Sequence, residues 1–132
     1  MSTQRSSNPR RLLLFILFLL VTILIRSGPA APAAQAAGLV VNSLADGAPA
    51  DDGECTLREA IINANNDNQL GSTDCAAGSG HDVITFDVSG TITVASTLPV
   101  VSSAAGLTID GVGQEVVLSG NNLVRVMHVS GV

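Results

Sequence analysis

Lysine, tryptophan and tyrosine are absent from this 132-residue chain, and three phenylalanines are its only aromatics. Basic grooves and base-stacking platforms have almost nothing to be built from, which excludes ordinary nucleic-acid binding. Positive charge is confined: four of the six arginines lie at or before Arg26, leaving only Arg58 and Arg125 beyond it. All eleven carboxylates follow residue 45, so the chain beyond residue 36 carries a formal charge of −9. Such a surface is also unsuited to anionic lipid. No Gly-x-Ser-x-Gly elbow, phosphate-binding loop or His-Glu-x-x-His occurs. Gly111-Val112-Gly113 lacks the third glycine and following helix of a dinucleotide site, so it reads as a turn. Nothing here assigns a reaction, and the balance leans away from an enzyme.

What is present begins with a hydrophobic run. Arg5, Arg10 and Arg11 precede an almost wholly apolar stretch of 14 residues, Leu12 to Ile25. An Ala-rich tail follows, with Ala34-Gln35-Ala36 as a small-residue cleavage site. This is the three-part pattern of a secretory signal over residues 1–36. The alternative is an uncleaved membrane anchor, with membrane contact through residues 12–25 only. As a helix the run covers about 21 Å, short of a roughly 30 Å hydrocarbon core, which favours cleavage. The expected location is therefore extracellular or at the cell surface. Residues 37–132 form one domain at most.

Both cysteines, Cys55 and Cys75, lie in the exported part, and behind a signal peptide a pair reads as one disulfide. Two thiols and two histidines 47 positions apart do not make a four-ligand zinc site. One helix is convincing. Thr56 followed three residues later by Glu59 is a capping box. Leu57, Ala60, Ile61 and Ala64 then fall on a single apolar stripe. The run Asn65-Asn66-Asp67-Asn68 ends it. Glu59 is occupied by capping, and Arg58, pointing elsewhere on the helix, is expected to reach a strand carboxylate or the rim.

After the helix the hydrophobic period becomes 2. Asp82 to Val88, Thr91 to Val94, Thr97 to Val101, Leu107 to Asp110, Glu115 to Leu118 and Val124 to Val129 read as short strands, with Gly38 to Leu44 as an earlier one. Separations of 23, 24 and 26 residues (Ile84 to Leu107, Ile92 to Val116, Leu98 to Val124) make three strands repeat once. Periods in this range belong to solenoids. The expectation is an all-β fold, a right-handed parallel β-helix of about two coils with an N-terminal capping α-helix. An antiparallel sandwich with similarly spaced turns is the alternative.

Cys55-Thr56-Leu57-Arg58-Glu59-Ala60 resembles the motif that names the CSLREA-domain family, with Thr56 in place of its serine. Gly80-His81-Asp82-Val83-Ile84-Thr85-Phe86 and Leu107-Thr108-Ile109-Asp110-Gly111 extend the likeness over roughly residues 39–129. The resemblance implies the N-terminal segment of a secreted pectin-lyase-like β-helix, of the kind found in bacterial surface and polymorphic outer-membrane-type proteins. Relatives run on for many more coils. The expected partners are therefore further β-helix coils or another chain at an open C-terminal edge, with polysaccharide as a ligand class.

On that reading the module is structural or adhesive and non-catalytic. The alternatives are a fragment of a polysaccharide lyase or glycoside hydrolase, and a non-functional gene remnant. Enzymes of this fold place carboxylates and an arginine on an outer face, which makes Asp82, Asp87, Asp110 and Arg125 the candidate ligand residues. Carboxylates there could hold Ca²⁺. The plain reading is solvated outer-face and turn residues, with no cofactor. Asp46, Asp51, Asp52 and Glu54 form a second acidic group without EF-hand or nonapeptide spacing, read as a solvated loop.

Overall fold

The computed structural model describes residues 36–130. The signal or anchor reading of residues 1–36 falls almost wholly outside them, as does the apolar run 12–25. No described helix is long and apolar enough to cross a membrane.

The described chain runs β1 (Gly38–Val41), α1 (Leu57–Asn66), β2 (Asp82–Phe86), β3 (Gly90–Thr93), β4 (Leu107–Ile109) and β5 (Val116–Ser119). Helix α1 starts where its first turn is satisfied locally. The Thr56 hydroxyl accepts from the Glu59 N–H, and the Glu59 carboxylate accepts from the Thr56 N–H. It ends at Asp67, which takes the left-handed conformation (φ 50°) and returns its N–H to the Asn63 carbonyl. That geometry suits the short polar residues placed there.

All strand pairing among the described residues is parallel. β1, β2 and β4 form one sheet in the order β1-β2-β4, and β3 and β5 form a second. Leu39 pairs with Ile84 and Ile84 with Ile109, so one apolar position repeats across all three strands. Ile92 pairs with Leu118 in the second sheet. Leu39, Val41, Ile84 and Ile92 are fully buried, and Leu57, Ala60, Ile61 and Ala64 of α1 join the same core. The helix packs on β1 and β2. Burying a side chain of the size of Leu57 or Ile61 is worth about 1.5–3 kcal/mol.

Two expectations fail here. Among the described residues the fold is not a right-handed parallel β-helix, nor all-β: the strands make two small sheets, neither closed nor curled, beside one helix. Nor is it an antiparallel sandwich. The missing piece is the third side. Thr97 to Val101 and Val124 to Val129 form no ladder, only the single parallel bridge Val101↔Val129 and isolated bonds such as Leu98 N–H to the Val126 carbonyl. Pro99 lacks an N–H to give to a ladder. Ser102, Ser103, Ala104 and Ala105 offer no large side chain to bury after it. A repeat in spacing thus produced aligned strand pairs without closing a coil.

Candidate functional site

The densest set of functional groups surrounds α1, where three polar side chains tie loops onto the helix. Glu59 is 2% exposed. Besides its bond to the Thr56 N–H it accepts from the Thr56 hydroxyl (2.9 Å) and, through Oε1, from the Ala50 N–H (2.8 Å). One carboxylate therefore caps the helix and anchors the loop that precedes it. Three donors at this depth compensate the burial of its charge.

Asn63 does the same for the loop that follows. It is fully buried, and its four hydrogen-bonding positions are all used. Its Nδ2 donates to the Ser72 and Ala76 carbonyls, and its Oδ1 accepts from the Gly71 and Ser72 N–H groups. The loop lies so close that Gly71 and Gly78 admit no side chain. A Cβ on Gly78 would sit 2.2 Å from the Asn63 carbonyl oxygen, and one on Gly71 2.5 Å from that of Glu59.

Arg58 grips the outside. Its Nε and Nη2 bind the two Asp46 oxygens at 2.8 and 2.9 Å, the fork-on-carboxylate geometry. Nη2 also donates to the Ser96 carbonyl and Nη1 to that of Thr97, and the Ala95 N–H donates to Asp46. The partner is a loop carboxylate, not a strand one. Burial is the largest influence on the Asp46 carboxyl and pushes its pKa up. The Arg58 hydrogen bonds, the Ala95 N–H and the Arg58 charge together outweigh it, so the pKa is lowered.

The Cys55–Cys75 disulfide is formed, with Cα atoms 4.9 Å apart and both cysteines buried. Asp51, Asp52 and Glu54 of the acidic loop are exposed, as its composition implied, and Asp46 is half-buried; their carboxylates go to different partners. Asp46 holds Arg58. Asp51 accepts from the Thr73 N–H and hydroxyl and from the Ser72 hydroxyl, and the Thr73 N–H is the leading cause of its lowered pKa. Glu54 takes the Ser43 hydroxyl, and Asp52 takes the Glu54 N–H. Carboxylates spread in this way do not converge on one ion, and among the described residues no group of three or more His, Cys, Asp or Glu is placed to hold a metal.

Asp82, Asp87, Asp110 and Arg125 are not brought together. Asp82 is not on an outer face: it shares the inward parity of Ile84 and is fully buried. Its Oδ1 accepts from the Ser79 and Ala37 N–H groups, while Oδ2 has no partner among the described residues. Asp87 and Arg125 are exposed, and Asp110 accepts from the Val112 N–H inside its own turn. A cleft of about 360 Å³ lies beside Asp46, Pro49, Arg58 and Ser96. Its charged groups already satisfy one another. The residue missed by sequence reasoning is Asn63. Its signal was local: an asparagine inside the apolar stripe, three after Ala60, followed by a glycine-bearing loop.

No protein-family model, curated protein or solved structure matches this chain.

Proposed function

We propose that residues 37–130 are an exported, non-catalytic structural module of the cell surface, related to the CSLREA-domain segments that its helix motif resembles. The supporting observation is how the polar groups around α1 are used. Glu59, Asn63, Arg58 and Asp46 are bonded to loops of the same chain, and the disulfide joins two of those loops. Side chains committed in this way hold a lid over an apolar core; they are not presented to a substrate. The motif residues Thr56 to Ala60 thus act mechanically. Thr56 and Glu59 start the helix, Leu57 and Ala60 enter the core, and Arg58 clamps the corner at Ser96 and Thr97.

The test is expression of the full chain in a secreting bacterium. The expected product is an oxidised, folded protein found outside the cytoplasm that releases no fragments from pectate-type or neutral glycans, with or without calcium. Turnover of either glycan would make it an enzyme instead. Retention of all the protein in the cytoplasm would remove the surface assignment.

A further inference from the structure

The end of the molecule away from α1 is built differently from the helix end. Among the described residues β4 and β5 each have one neighbour, so the outer edges of both sheets are open on the same layer, residues 107–130. Val129 adds a third open segment through its bridge to Val101. Edge strands are normally blunted by lysine, proline or a bulge. Neither Leu107-Thr108-Ile109 nor Val116-Val117-Leu118-Ser119 contains a charge or a proline. The layer is also apolar. Leu107, Ile109, Val116, Leu118, Val124 and Val126 are only partly covered, while Val112, Val117, Leu123 and Val129 are exposed.

Charge indicates what covers it. Residues 36–106 hold nine carboxylates and one arginine, a formal −8, whereas residues 107–130 hold Asp110, Glu115 and Arg125, a formal −1. Two copies of so acidic a chain repel through most of their surface. This layer is where that repulsion is least. It also carries both signs, and among the described residues Arg125 makes no ion pair of its own. A two-fold axis presents the same patch to itself, so Arg125 of one copy faces a surface that carries Glu115 and Asp110.

The geometry points to this layer as a homodimer interface, the edges of β4 and β5 docking against a second copy of the chain. Such a dimer does not depend on where in or outside the cell the module works. Sedimentation velocity on the purified full-length chain, over a range of micromolar concentrations, is the experiment. The wild type is expected to populate a dimer. Thr108→Lys and Val117→Lys alter exposed positions on the two edge strands, and each puts a charge on an uncharged edge that the interface would bury. Each is expected to weaken the dimer by about tenfold or more while leaving the monomer's melting intact. Arg125→Glu should weaken it as well, and Arg125→Glu with Glu115→Arg should restore it. A wild type that is monomeric throughout overturns the proposal. So does assembly into open-ended oligomers, or a dimer that both lysine variants leave unchanged.

Discussion

The helix end and the strand end of this small domain are made from the same kind of strand, yet they solve the problem of an exposed sheet in opposite ways. At the helix end the flanking chain supplies the missing partners. The Asn42 N–H bonds the Cys55 carbonyl, the Cys55 N–H bonds Asn42 Oδ1, and the Ala95 N–H bonds Asp46. Leu57 and Ile61 fill the apolar space, and the same column of residues falls from fully buried Leu39 and Ile84 to half-buried Ile109 across three strands. The far end has no such cover among the described residues. Sheet hydrogen bonds alone therefore do not bury a core here; a lid does, and the lid needs its own polar scaffold to stay in place.

The contrast is broken most severely by charging the lid. Leu57→Asp or Ile61→Asp puts a carboxylate among fully buried apolar side chains. A loss of more than about 4 kcal/mol is expected, enough to abolish folded secreted protein, read from the yield of oxidised material. Replacing Cys55 and Cys75 together by serine opens a loop spanning 20 positions and should cost about 3 kcal/mol, seen as a lower melting temperature. Asn63→Ala should cost a similar amount, about 2–3 kcal/mol, because the Gly71 and Ser72 N–H groups lose their acceptor in a buried site.

Acid should loosen the lid. The folded pKa values of Asp46 and Asp51 are lowered, so their contribution is fully present above the unfolded aspartate value of about 3.9. It is lost as the pH falls through the lower folded values. Melting temperature followed from neutral pH to pH 3 should drop at the acid end, and Asp46→Asn should flatten part of that drop. The smallest effect belongs to the open end. Leu123→Ser, at an 82% exposed position, should change the stability of the monomer by no more than about 0.5 kcal/mol. A large loss there would mean that the far end is covered after all.

The lid was legible because its signals are local. A hydroxyl and a carboxylate three residues apart, followed by an i, i+3, i+4, i+7 stripe, specify a helix start whatever surrounds it. Asp82 shows how a local rule can be overlooked: its parity with Ile84 already put it inside, and composition alone argued for the surface. The coil failed for a different reason. Equal spacing says which segments come into register, as β2 with β4 and β3 with β5 do, but says nothing about whether the run between them pairs.

By itself, then, the order of residues determined the capped helix, the two-residue period of the strands and the pairing of its only two thiols. These follow from interactions within a few positions, or from there being a single possible bond. The tertiary structure alone decided that Asp46 is the partner of Arg58, that Asn63 organises the loop behind the helix, and that the sheets stay open at Leu107 and Val116. Each of those depends on groups far apart in the chain meeting at hydrogen-bonding distance. Such meetings are set by how the core packs and by which backbone groups are left needing a partner, and no short window of sequence contains that information.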